Sequence, residues 1–427
     1  ADLQGPRIRV GVVSKEGISL TQGKEVILYP EKILNLKSKI SNLHLKSKIS
    51  KSQVKISITY ANLHKEVKPG DKILLDEGLI QLKVIKVKAK EIYCRVLIGG
   101  KIISHKSINI PKSGLKIPAI TEKDKQDLEF AIKNDVDWVA MSFVKTTSDI
   151  LHLKKLIKNL EKKYKIKKPT LMIAKIEKKE AVDNLDKILK VVDGIMVARG
   201  DLGIEMPIEE VPVIQKMIIE KCLAAAKPVI TATQMLLSMI SNPKPTRAEV
   251  SDVANAVIDH TDCVMLSQES AVGKYPVETV KTMSHIISDT EKSPFDDLKI
   301  SNLLKNGLSI DEATAQSTAQ LAAEVKASAI LVATISGYTA RIVSRFRPEL
   351  PIIVTADSEK VRRQLALSWG VIPYVMPRCK SIDELINRAV AKAKNKKIIK
   401  PGDKIIILGG HPVGKSGNVN LVKIHEV

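Results

Sequence analysis

Thr170-Leu-Met-Ile-Ala-Lys-Ile-Glu177, Asp193-Gly-Ile-Met-Val-Ala-Arg-Gly-Asp-Leu-Gly203, Pro228-Val-Ile-Thr-Ala-Thr-Gln-Met235 and Asp262-Cys-Val-Met-Leu-Ser-Gln-Glu-Ser270 decide how this chain reads. Each is an apolar run of strand length that stops abruptly in polar residues. Side chains alternate along a strand, so Lys175 and Glu177 fall on one face and point into one site. The second run delivers Gly200 and Asp201, a carboxylate beside glycines whose amides can approach an anion closely. The third and fourth deliver hydroxyls, Thr233 and Ser267. A lone Lys-x-Glu is usually a solvated surface pair, but buried strand ends rarely carry Lys175, Glu177 and Asp201 together without a ligand. Asp149 to Lys163 and Val211 to Ala226 carry apolar residues at helical spacing and alternate with these strands. Polar groups at the carboxyl ends of successive strands, each followed by a helix, predict a (β/α)8 TIM barrel with its active site at that end.

At these residues the chain resembles the pyruvate kinase family. Ala198-Arg-Gly-Asp-Leu-Gly203, Ile230-Thr-Ala-Thr-Gln-Met235, Asn242-Pro-Lys-Pro-Thr-Arg-Ala-Glu249 and Asp252-Val-Ala-Asn-Ala256 read like that family's signatures, in its order. The resemblance implies transfer of phosphate from phosphoenolpyruvate to ADP, giving pyruvate and ATP, the last step of glycolysis. Glu177 and Asp201 would then hold Mg2+ or Mn2+, a metal that prefers few carboxylates plus substrate oxygens and water. Lys175 would offset charge on the moving phosphoryl group and the emerging enolate. Amides near Gly200 and Asp201, with the Thr233 hydroxyl, would hold the substrate carboxylate, and Thr233, Ser267 and water would stand near the enolate. Arg9 and Lys106 match positions facing nucleotide phosphates, although Ser107 and Lys112 replace the family's usual glycines around Asn109-Ile-Pro111. The family also implies a cytoplasmic homotetramer.

The resemblance bears on potassium too. Members that need a monovalent cation usually carry glutamate directly after the Gly-Pro of this opening segment; here Arg7 stands there, in the region of Asp2 and Leu3, so no potassium requirement is expected. Near the C-terminus, Thr334-Ile-Ser-Gly-Tyr-Thr339 and Gly414 resemble a bacterial effector site. Thr334, Ser336, Gly337 and Thr339 would receive a sugar phosphate or nucleotide there.

Three domains follow from the order of patterns. Residues 1–9 and 111–293 read as a discontinuous barrel, 10–110 as an inserted β-barrel lid with Gly, Pro and Asp turns, and 294–427 as a C-terminal α/β domain. Ala1 to Arg9 reads as the third strand of the family's barrel. Counted from there, the barrel shows six strands where a closed one has eight, and an open barrel exposes unpaired edges, so about 70–110 further residues are expected ahead of Ala1. In the C-terminal domain, helices over Asp311 to Lys326, Thr339 to Phe346 and Glu359 to Gly370 alternate with strands over Ala329 to Thr334, Ile352 to Thr355 and Lys404 to Leu408. That alternation implies a parallel sheet covered on both faces. Leu36-Lys-Ser-Lys-Ile-Ser41 recurs as Leu45-Lys-Ser-Lys-Ile-Ser50 and reads as a solvated loop, two copies being too few for a solenoid.

Composition sets the remaining bounds. With 427 residues, 44% of them hydrophobic, the chain can build two or three real cores. No apolar run approaches the roughly 20 residues that span a bilayer. The net charge of +22 raises nucleic-acid binding, but lysine dominates, spread through every segment, and aromatic residues for base stacking are scarce at 3%. Neither nucleic acid nor membrane is therefore expected as a partner. Cys94, Cys222, Cys263 and Cys379 stand far apart and suggest neither a zinc site nor a disulfide framework. Gly409-Gly-His-Pro-Val-Gly-Lys-Ser416 satisfies a Walker A pattern but has no room for the helix that must follow it, so a P-loop is rejected. A metal-dependent barrel lyase acting on an enolpyruvate would use similar carboxylates but needs neither lid nor C-terminal domain. A silent binding protein is the remaining rival.

Overall fold

A computed structural model describes residues 1–31, 54–111, 117–297, 308–377, 379, 381–410 and 419–427. The chain falls into two compact units. One comprises Ala1–Leu3, Glu122–Arg199 and Glu209–Val427, and the other Gln4–Thr121 and Gly200–Ile208.

The first unit contains the barrel strands, which form a 6-stranded sheet in chain order: Asp2–Leu3, Trp138–Met141, Leu171–Ile176, Gly194–Ala198, Val229–Ala232 and Cys263–Met265. All neighbours pair in parallel. Parallel strands covered by helices are buried on both faces, which is why these runs are almost continuously apolar. Ala140, Ile173, Met196, Ile230 and Ala232 pack together on one face of the sheet. Lys175 shares the parity of Ile173 and so emerges from that face one step nearer the carboxyl end. Long helices separate the strands, among them Thr147–Lys163, Val211–Ala224 and Arg247–Ile258, and Pro276–Glu291 follows the last strand.

Ala1 to Arg9, read as one barrel strand, divides. Asp2–Leu3 pairs with Ala140 and Met141, whereas Ile8–Arg9 pairs in the other unit's sheet. Gly5, with φ +67, and Pro6, which lacks an N–H, break the run between them.

The C-terminal α/β part belongs to the same unit as the barrel strands. Its 5-stranded sheet runs in the order Val371–Val375, Ile352–Ala356, Ala329–Thr334, Lys404–Gly409, Leu421–Glu426. Strand alternation builds two cores. Ile330, Val332, Val354, Ile406 and Leu408 meet Ala315, Ala319 and Val343 on one face, and Leu331, Ile353, Ile405 and Ile407 meet Leu385, Ile386 and Ala389 on the other. Two expectations are corrected. The last strand is antiparallel, because residues 410–420 leave too little chain for a crossover helix. The helix expected over Glu359 to Gly370 ends at Gln364 and gives way to a 3-10 turn, Leu365–Leu367, before Gly370 at φ +66. That short helix is bonded to the barrel: Lys360 reaches Asp135 at 2.7 Å and Arg363 reaches Asp137 at 2.9 Å, while Lys168 from the barrel side meets Asp357 at 2.9 Å.

The second unit is built on a 7-stranded sheet in the order Ile8–Arg9, Ser107–Asn109, Lys72–Leu75, Ile80–Lys88, Glu91–Ile98, Glu25–Pro30, Val54–Ile58. All pairs are antiparallel except the last. One core, including Leu28, Ile56, Ile73, Leu82, Ile92 and Val96, fills it. The repeat within 36–50, together with Lys112, Gly414, Lys415 and Ser416, lies outside the described residues. Leu421–Glu426 beyond that last segment is a strand.

Candidate active site

The strand Leu171–Ile176 and the residue after it place Lys175 and Glu177 as alternation requires. The Lys175 amino group lies 3.0 Å from Glu177 Oε1, donates to Ser142 Oγ at 2.9 Å, and lies 3.4 Å from Asp2. Lys175 is 6% exposed and Glu177 0%, so this is a buried ion pair. Such a pair gains little against its desolvation, and a fold that keeps one at a strand end keeps it for chemistry or for specificity. Glu177 Oε2 accepts the Phe143 backbone N–H at 2.6 Å. A charge-assisted bond of that length helps to hold Phe143 in the left-handed region, φ +55.

Phe143 is not alone. Thr233 and Gln234, just beyond the strand Val229–Ala232, have φ +71 and +56. A β-branched residue in that region is a genuine outlier and costs on the order of 1–3 kcal/mol. The Arg199 guanidinium helps to hold this turn: it donates to the Thr233 carbonyl at 2.8 Å, to the Ala232 carbonyl at 3.4 Å and to Asp252 at 2.7 Å. One side chain thus links three of the quoted signature segments. The fourth is a capping box, in which Thr246 and Glu249 close the amino end of the helix Arg247–Ile258.

Ser267 forms no hydrogen bond with Lys175, Glu177 or Thr233. Its N–H donates to Glu269 at 2.8 Å, and the same buried carboxylate accepts the Leu236 N–H at 3.2 Å, joining two strand-end loops. Ser142, Arg199 and Glu269 are the residues the sequence reading left without roles. All three carried the same signal, each sitting where a strand gives way to polar residues.

The helix that opens at Arg199, Arg199–Glu205, carries Gly200 and Asp201 in its first turn; these two belong to the second unit, where Asp201 lies 3.9 Å from Arg7. Asp201 and Glu177 belong to different units, and each is described within its own. Arg9 pairs with Ser107 in adjacent strands, which brings Arg9 and Lys106 to one edge of the sheet. Lys106 meets Asp76 at 2.7 Å, and Arg9 donates to the His105 carbonyl at 2.9 Å.

Thr334 ends its strand, and its hydroxyl accepts the Gly337 N–H at 3.0 Å. Gly337, φ +82, opens the helix Tyr338–Ser344, and Thr339 is buried within it. The four cysteines are free, and burial pushes the thiols of Cys94 and Cys263 up to about 12. Among the described residues no group of three or more His, Cys, Asp or Glu could cage a metal, and no helix is long and apolar enough to cross a membrane.

A buried lysine and carboxylate at the carboxyl ends of parallel strands, beside strained hydroxyl-bearing turns, defines an α/β-barrel enzyme acting on an anionic substrate. Residues 1–280 match the pyruvate kinase barrel domain and residues 312–425 the pyruvate kinase alpha/beta domain. The pyruvate kinase of Clostridium acetobutylicum is 42% identical over 433 aligned residues, covering 100% of this chain and 86% of that protein. That of Geobacillus stearothermophilus is 42% identical, over 100% of this chain and 70% of its own length. A crystal structure of a pyruvate kinase from Cryptosporidium parvum superposes with a TM-score of 0.84 at 35% identity, covering 100% of this chain and 83% of that one. This chain belongs to the pyruvate kinase family, and with it to the phosphotransferases.

Proposed function

We propose that the protein transfers the phosphoryl group of phosphoenolpyruvate to ADP, giving pyruvate and ATP in the cytoplasm as the last step of glycolysis. The observation that supports this reading is the buried Lys175–Glu177 pair, 3.0 Å apart, at the carboxyl end of its parallel strand. In the reaction the bond from phosphorus to the enolate oxygen breaks and a bond to the terminal ADP oxygen forms. Lys175 offsets the charge that develops on both fragments, the largest contribution a protein can make to such a transfer. The enolate carbon then takes a proton, for which Thr233, Ser267 and water are the candidates. Glu177 and Asp201 would hold Mg2+ or Mn2+; two hard carboxylate donors suit such an ion, which fills its other positions with substrate oxygens and water, so no larger cage is needed. When bound, the metal supplies charge neutralisation at the substrate carboxylate and phosphate. The role of Asp201 rests on its place in Ala198-Arg-Gly-Asp-Leu-Gly203. Gly200 and Thr233 keep the substrate-carboxylate role, and Arg9 and Lys106 the nucleotide phosphates. Pyruvate release from phosphoenolpyruvate that requires ADP is the deciding assay; release indifferent to ADP would make the protein a lyase.

Arg199 acts here as a positioning residue for Thr233. Arg199→Lys keeps the charge but loses the forked contacts, and kcat should fall by about 10–100-fold while the KM for ADP holds steady. An unchanged kcat, or a loss explained wholly by unfolding, removes this role.

Arg7 is proposed to replace the monovalent cation, its charge lying 3.9 Å from Asp201. Activity should then be equal with potassium or a bulky organic cation, and Arg7→Glu should create a potassium requirement. Strong potassium activation of the unaltered enzyme would show that Arg7 is no substitute.

Homotetramer formation is proposed on the family's habit, with support from the apolar side chains Val250, Val277 and Val280, exposed on the helices Arg247–Ile258 and Pro276–Glu291. The effector proposal at Thr334, Ser336, Gly337 and Thr339 rests on the left-handed Gly337 turn at a helix start.

A further inference from the structure

Glu269 is a buried carboxylate, 1% exposed, that forms no hydrogen bond or ion pair with Lys175, Glu177 or Thr233. Among the described residues no cation pairs with it. Its two oxygens instead accept main-chain N–H groups from two different loops, Oε2 that of Ser267 at 2.8 Å and Oε1 that of Leu236, 33 residues away, at 3.2 Å. Taking a carboxylate out of water without a cation is costly, and two neutral donors offset only part of that cost. The Ser267 bond alone would make Glu269 a cap for the short helix Gln268–Ala271, which opens directly after Ser267. The Leu236 bond has no part in that helix. It closes the turn in which Thr233 and Gln234 have φ +71 and +56, and whose start Arg199 holds through the Ala232 and Thr233 carbonyls. A cation therefore fixes one end of this strained turn and an anion the other.

We propose that Glu269 is a positioning residue that sets the Thr233 and Ser267 hydroxyls relative to each other, and through them the protonation that completes the reaction. This rests on the reading that both hydroxyls stand beside the enolate. Thr233 lies three residues before Leu236, and Ser267 is held by its own N–H, so one side chain governs both loops. A carboxylate suits the task because it accepts at two separate atoms, whereas a glutamine of the same shape would turn its NH2 toward one of the two N–H groups. The joint between the loops does not depend on Glu269 for its existence. The Lys274 N–H also donates to the Ile240 carbonyl at 2.9 Å, and Met235, Leu236 and Met239 pack with Val264 and Leu266. What Glu269 adds is precision, and in the second half of the reaction only. There a C–H bond forms at the enolate carbon with a proton from a hydroxyl or a water held beside it, and the donor recovers a proton from solvent. Phosphoryl transfer is left to Lys175, on another strand.

The two halves of the reaction can be measured apart. Single-turnover formation of ATP reads phosphoryl transfer, and exchange of the pyruvate methyl hydrogens with D2O reads the protonation in reverse. Glu269→Gln should slow the exchange by about 10–100-fold and leave single-turnover ATP formation within about twofold, since a misplacement of about 1 Å costs on the order of 10²-fold. Glu269→Asp, one methylene shorter, still caps the helix but cannot also reach Leu236. Its exchange should fall as in Glu269→Gln, with little change in melting temperature. Equal losses in both halves, or exchange at the unaltered rate in either variant, would overturn the positioning role and leave Glu269 a helix cap. If the unaltered protein forms no ATP from phosphoenolpyruvate and ADP, the reading of the reaction itself fails, and the role of Glu269 with it.

Discussion

Lys175→Met should lower kcat by about 10³-fold or more and leave the KM for ADP within about twofold, because the lysine charge matters most as phosphoryl charge moves. The same change removes a cationic partner of a carboxylate that is 0% exposed. Breaking a buried ion pair by removing one member costs about 3–5 kcal/mol, so the single variant should also unfold more easily in the absence of metal. Loss of activity through loss of folding must therefore be separated from loss of chemistry. The double variant Lys175→Met, Glu177→Gln removes both charges together and should recover most of the lost stability while remaining inactive. Stopped or steady-state kinetics alongside thermal unfolding of the three proteins would settle the point. If the single variant kept its rate constant and merely bound phosphoenolpyruvate less well, Lys175 would be a binding residue only and the assignment would fail.

Asp201→Asn should raise the Mg2+ concentration needed for half-maximal activity by about 100-fold, since even changes outside the ligand shell cost about 10–100-fold in metal affinity. The asparagine keeps the shape and one oxygen donor but loses the charge, so much of kcat should return at saturating metal. That recovery is what separates it from Lys175→Met, whose loss no metal concentration should repair. Arg7, 3.9 Å from Asp201, sharpens the expectation: without the carboxylate its positive charge would further oppose the cation. Titrations of activity against Mg2+ and Mn2+ provide the measurement. An unshifted half-saturation point would remove Asp201 from the metal site and leave it as the counter-ion of Arg7.

Much of the site was legible in the chain because strand geometry is a local rule. Residues 175 and 177 must share a face, and Ile173, two places earlier, packs in the apolar cluster on the face that alternation assigns it. The alternation of the C-terminal part was legible for the same reason, down to the strand Ala329–Thr334. The failures came where the outcome depended on chain length or on distant partners. Glu359 to Gly370 has a helical pattern throughout, yet the helix stops at Gln364, whose side chain is drawn to the Asp137 carbonyl at 3.1 Å and the Pro169 carbonyl at 2.9 Å. Tertiary hydrogen bonds outweighed a weak local preference there.

The amino-acid sequence by itself determined the order of strands and helices, the family, and which polar residues stand at strand ends, since all three follow from periodicity and short motifs. Only the tertiary structure decided what those residues touch. Lys175 meets Ser142 and Asp2 from strands 33 and 173 residues away. Arg199 reaches the Thr233 carbonyl and Asp252 from 34 and 53 residues away. The guanidinium groups of Arg345 and Arg347, unremarkable in a basic chain, end up buried against distant partners, Arg345 on Glu312 and the Ala224 carbonyl and Arg347 on Asp262 and the His260 carbonyl. Hydrogen-bond satisfaction and charge pairing act over a few ångströms of space, so their outcome depends on which distant segments the packed core brings within that range.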